Sequence, residues 1–71
     1  MKILINVKNK NQTKRYLIDN KIKVKDLINE VFDDDFEGIY SIRKKQIINL
    51  DLSFEDQNIL NQDILVIKGR K

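Results

Sequence analysis

The chain has 71 residues, of which 41% are apolar and 35% charged, and carries a formal net charge of +3. A chain this short encloses one core and hides only about 60% of its unfolded surface, so a single domain over residues 1–71 is expected. Cysteine and histidine are both absent, which excludes disulfide staples, thiolate metal sites, Cys nucleophiles and the commonest general base.

Ile3, Ile5 and Val7 alternate with Lys2, Leu4, Asn6 and Lys8, the period of a half-buried strand. Asn9 to Thr13 holds two asparagines suited to a turn, and Arg15-Tyr16-Leu17-Ile18 resumes β-favouring residues, so a hairpin is predicted. From Val24 the period changes. Val24, Leu27, Ile28, Val31 and Phe32 form one helical stripe, and the spacing predicts a helix over 24–34. Its start has no good cap, since Lys23 precedes it, while Asp26 and Glu30 compensate in part. Gly38 marks a stop, Ile39 to Arg43 reads as a strand, and Gln46-Ile47-Ile48 follows as a short strand after a basic turn. Ser53-Phe54-Glu55-Asp56 begins one helical turn with Ser53 as cap, and Asp63 to Ile67 closes the domain as a dense apolar strand. The order β, β, α, β, β, short turn, β is met most economically by a mixed sheet of four to five strands packed on one helix, an α+β fold with its first and last strands adjacent.

No apolar run exceeds the four residues Ile64 to Ile67, far short of the roughly 20 a membrane span needs. With no signal-peptide pattern at the start and no cysteine, a cytoplasmic location is expected. Charge is segmented: residues 1–25 carry eight Lys or Arg against Asp19 alone, whereas 26–37 carry six carboxylates and no cation. A dipolar domain follows, with a basic hairpin opposite an acidic helix end.

Three constellations are candidates for chemistry. Asp33-Asp34-Asp35-Phe36-Glu37-Gly38 matches the opening of a calcium loop, but the twelfth position, which should be a bidentate Glu, is Lys44, and a strand follows where a helix should. A solvated helix end is expected instead, and no metal or cofactor. Lys8, Lys10, Lys14, Arg15, Lys21, Lys23 and Lys25 form a basic cluster, which as a small nucleic-acid-binding module would need interleaved stacking aromatics. Only Tyr16 is nearby, so a nucleic-acid partner is not expected. Ser53, Thr13, Tyr16 and Tyr40 have no His or Cys to pair with, and no catalytic residue is expected.

The segment Ser53-Phe54-Glu55-Asp56-Gln57-Asn58-Ile59, followed by Asn61-Gln62-Asp63-Ile64-Leu65-Val66-Ile67, resembles the ubiquitin-like β-grasp family, and the element order extends that resemblance over nearly the whole chain. Val24-Lys25-Asp26-Leu27-Ile28 running on to Val31-Phe32-Asp33, with Gln46-Ile47-Ile48 ahead of the Asp56 to Ile67 ending, is similar to the small ubiquitin-like proteins of bacterial type VII secretion, the YukD and EsaB group. The resemblance implies core positions at Phe54, Ile59, Leu65 and Ile67. It also implies a non-catalytic, protein-binding adaptor, accessory or regulatory to the secretion machine, whose partner is a cytoplasmic domain of a membrane secretion component such as a pseudokinase-like domain or motor ATPase. A covalent modifier or sulfur carrier of this family ends in Gly-Gly. The ending Lys68-Gly69-Arg70-Lys71 disfavours that alternative.

Ubiquitin-like domains present an apolar, cation-ringed patch on the sheet. If Leu65 and Ile67 point inward, period two turns Ile64 and Val66 outward, where Ile47, Lys68 and the Arg43-Lys44-Lys45 turn would complete a partner-binding surface.

Overall fold

The computed structural model describes residues 1–10, 12–32 and 35–69. Strand β1 (Lys2–Asn9) folds back onto β2 (Gln12–Asp19), helix α1 (Val24–Val31) crosses over, and β3 (Phe36–Ser41), β4 (Gln46–Ile47) and β5 (Asp63–Gly69) complete one sheet in the order β2-β1-β5-β3-β4. The first and last strands are adjacent and parallel, and every other pairing is antiparallel. A parallel neighbour requires a crossover connection, which the helix supplies.

Alternation decides what is buried. Ile3, Ile5 and Val7 on β1, Ile18 on β2, Ile39 on β3, and Leu65 and Ile67 on β5 point to the helix side, where Val24, Leu27 and Ile28 meet them. Phe54 and Ile59, from the loop between β4 and β5, fill the same core, so all four positions implied by the resemblance are buried.

Several expected boundaries are corrected. The β1–β2 connection is only Lys10 and Asn11, because Asn9 pairs directly with Gln12. Lys10 takes a left-handed φ of 54°, as two-residue hairpin turns demand. Strand β3 begins before Gly38 instead of after it, absorbing a register shift between Phe36 and Gly38, and Ile42 and Arg43 already belong to the following turn. The helix ends at Val31, not Asp34. Phe32 turns extended (φ −150°, ψ 117°) while its N–H still donates to the Ile28 carbonyl, and its ring meets Phe36 edge-on at 6.0 Å. Of the acidic run tested as a calcium loop, Asp33 and Asp34 lie outside the described residues; Phe36, Glu37 and Gly38 are in β3.

Lys23 makes no side-chain cap at the helix start, as its residue type predicts. The first free amides are satisfied from elsewhere: Val24 N–H donates to the Leu52 carbonyl and Lys25 N–H to that of Leu50, both at 3.0 Å. Ser53 Oγ accepts from Asp56 N–H at 2.9 Å as a cap would, although that segment is a hydrogen-bonded turn and not a helix.

One polar unit sits inside. Asp63, buried at the start of β5, accepts from Ser41 Oγ at 2.6 Å, from Ile64 N–H at 2.7 Å and from Arg43 N–H at 3.2 Å, and Ser41 Oγ accepts in turn from Lys44 N–H at 3.1 Å. This relay shapes the β3–β4 turn. Replacing Ser41 with Ala orphans both the Lys44 amide and one Asp63 oxygen, and should lower stability by about 1–3 kcal/mol. Urea unfolding would show the loss as a lower midpoint at unchanged slope; an unchanged midpoint would contradict this account. At the far end of the sheet, Lys21 N–H donates to Asp19 at 3.0 Å, and the Met1 ammonium lies 3.7 Å away. That hydrogen bond first, then the charges of Met1, Lys21 and Lys2, hold the Asp19 carboxyl below its usual value despite some desolvation. A depressed carboxyl stabilises the fold above its unfolded pKa and loses that contribution as pH falls through the folded one. A side-chain NMR titration should therefore place the Asp19 midpoint below the ordinary value of about 3.9.

Candidate functional site

A single helix covers one face of the sheet, and the other face is built from the alternate residues. Cross-strand register orders this outer face into rows. Ile47, Tyr40 and Val66 lie side by side across β4, β3 and β5, and the row continues to Lys8 on β1. The next row sets Ile42 beside Ile64, joined by the Ile42 N–H to Ile64 carbonyl bond at 2.9 Å. Ile47 is 56%, Ile42 45% and Ile64 38% exposed, and Tyr40 and Val66 are half-buried by their neighbours. Three aliphatic side chains left this open, with an aromatic and a valine between them, make a contiguous apolar surface of the kind that marks an interaction site.

Cations frame it. Lys68, the next outward residue after Val66, places its ammonium 5.4 Å from the Tyr40 ring centroid, within cation–π range. At one edge, Glu37, Gly38, Ile47 and Lys68 line a shallow depression. Ile47 packs over Gly38, its Cγ2 at an ordinary contact distance of 3.4 Å from where a Cβ would stand. At the opposite end, Ile42, Arg43, Gln62, Asp63 and Ile64 line a second hollow, and Gln62 there takes a left-handed φ of 69°.

The seven residues expected to form the patch are thus distributed unevenly. Ile47, Val66 and Lys68 meet around Tyr40, and Ile64 and Arg43 stand at the second hollow beside Ile42. Lys44 and Lys45 line neither hollow. Lys44 is half-buried with its amide tied to Ser41, and Lys45 occupies the left-handed turn position (φ 59°). Tyr40 and Ile42 were missed by the sequence reading, although the signal was present: with Ile39 inward, period two sends both outward. What the sequence did not reveal was that β3 lies between β4 and β5, which makes Tyr40 the centre of the row.

The arrangement offers an apolar contact surface framed by cations. Ser41 and Asp63 resemble a nucleophile and its partner in distance, but both are sealed from solvent and spent on the turn. Among the described residues, no three acidic side chains converge where they could hold a metal ion, and no helix is long and apolar enough to cross a membrane.

No protein-family model matches the chain, and no curated protein matches it. Solved structures do. The ubiquitin-like domain of EccD5 from Mycobacterium xenopi superposes with a TM-score of 0.73 at 10% identity, covering 100% of this chain and 97% of that one. The ubiquitin-like domain of Plasmodium falciparum Dsk2 gives 0.67 at 24% identity, covering 96% and 100% respectively. Strand order, the one-sided helix and these likenesses over full length agree: the chain has the ubiquitin-like β-grasp fold.

Proposed function

We propose that this chain is a non-catalytic, protein-binding adaptor, a cytoplasmic accessory or regulatory component of a bacterial type VII (WXG100/ESX-like) secretion system. The observation that carries the binding role is the exposed row Ile47–Tyr40–Val66 on the uncovered sheet face, with Lys68 over its aromatic centre. A half-buried aromatic ringed by aliphatics and a cation is the composition of an interface centre. The secretion assignment rests on the resemblance of Val24 to Asp33, Gln46 to Ile48 and the Asp56 to Ile67 ending to the YukD and EsaB group; the EccD5 likeness supports the fold on which that assignment depends.

In this reading the partner is the cytoplasmic portion of a membrane secretion component. Its contact surface supplies an apolar residue to the Tyr40 row and carboxylates to Lys68 and Arg43. Binding then works by occupancy, bringing or holding parts of the machine together with no bond made or broken.

The test is affinity capture from detergent lysate of the native host, comparing the intact chain with the double variant Ile47→Ser, Val66→Ser. Membrane secretion components should survive a native wash on the intact chain and leave under denaturant, with the bait mass unchanged. The double variant should retain them roughly five- to thirtyfold less well, since truncating two central contacts removes on the order of 1–2 kcal/mol. A bait covalently joined to other chains, or equal retention by the variant, would overturn the proposal.

A further inference from the structure

The basic hairpin meets the Tyr40 row only at Lys8, beside Val66, and the structure sorts its cations by face. Lys14 and Tyr16 point to the helix side, where they border a cleft with Val31 and Ile67, and Lys25 pairs with Asp51 at 3.4 Å. Lys2, Lys8 and Arg15 project from the outer face of β1 and β2, since their neighbours Ile3, Ile5 and Val7 are the buried ones. Arg15 lies across that face, its Nε donating to Asn6 Oδ1 at 3.2 Å. Between these cations sits an aliphatic pair, Leu4 and Leu17, directly opposite one another. Leu17 is 62% exposed.

We propose that this β1–β2 half of the outer face docks on an anionic phospholipid bilayer. The surface belongs to different strands from the adaptor row and does not depend on that reading. Three observations favour lipid. The aliphatic side chains among the cations suit the boundary between headgroup and acyl chain, with Lys and Arg reaching to phosphate. A single-stranded nucleic acid would instead require outward aromatics for stacking, and Tyr16, the hairpin's aromatic, faces the other way. The exposed carboxylates Asp26, Glu30, Asp51, Glu55 and Asp56 belong to the helix and to the loop that caps it. The molecule is therefore polarised, and a negative surface both attracts the hairpin face and repels the opposite layer. The one carboxylate on the hairpin face, Asp19, is engaged by the Met1 ammonium and the Lys21 amide. Lys2, Lys8, Arg15 and Leu17 are all exposed among the described residues.

The test is co-sedimentation of the full chain with vesicles of phosphatidylcholine alone or containing about 30 mol% phosphatidylglycerol. Binding should require the anionic lipid and be released by roughly 0.5 M salt, where screening is nearly complete beyond a few ångströms. Lys8→Gln and Arg15→Gln should each weaken it about fivefold, the equivalent of roughly 1 kcal/mol per cation near the surface. Leu17→Ser should weaken it further at unchanged charge, and Lys23→Gln, the same charge loss off this face, should leave it unaltered. Circular dichroism confirms that each variant is folded. Equal binding to neutral vesicles, no binding to anionic ones, or a Lys23→Gln effect as large as that of Lys8→Gln would overturn the proposal. So would preferential binding of a single-stranded oligonucleotide that depends on Lys8 and Arg15 but is indifferent to Leu17.

Discussion

One eight-residue helix must roof a five-stranded sheet, and it can do so on one side only. Everything else follows from that asymmetry. Each strand has to alternate, apolar toward the helix and something else away from it, and β5, at the centre of the sheet, shows the rule most clearly: Asp63, Leu65 and Ile67 are buried while Ile64 and Lys68 are not. The helix is too short to complete the roof, so Phe54 and Ile59 are brought in from the loop between β4 and β5. The uncovered face is then free to carry recognition, because its side chains are not needed to hold the core together.

That face is divided. Across β3, β4 and β5 it is apolar, with Tyr40 in the middle; across β1 and β2 it is cationic with aliphatic insertions. The two halves share a backbone ladder through the parallel β1–β5 pair, where Val66 stands beside Lys8, so they hold a fixed geometry relative to one another. A rigid platform with two chemically distinct regions orients whatever it joins, since neither region can turn without the other.

Much of this was legible from residues alone. Period two in Lys2 to Lys8 and in Asp63 to Ile67, and the stripe Val24, Leu27, Ile28, identified the strands and helix because burial on one face leaves no other register available. The outward direction of Ile64 and Val66 followed from the same rule. What escaped was set by pairing. Gly38 reads as a breaker in isolation, yet it lies within β3, paired with Lys68 just after the register shift from Phe36. Phe32 fits the helical stripe, but it leaves the helix to meet Phe36. Tyr40 gained its central place only from the strand order, which no local period encodes. The basic cluster, continuous in sequence, was divided between the two faces by the pleat.

The helix start carries a further consequence. Its amides are closed by the carbonyls of Leu50 and Leu52, about a third of the chain away, and an isolated eight-residue helix without a side-chain cap is marginal in water. The element that looks most local is therefore conditional on one of the more distant contacts in the molecule. In the native structure the helix start and the Leu50–Leu52 segment are therefore one hydrogen-bonded unit, each holding the other in place. A chain change that moves the loop at Leu50–Leu52 thus reaches the helix directly, through backbone bonds that no helix residue's own side chain can replace.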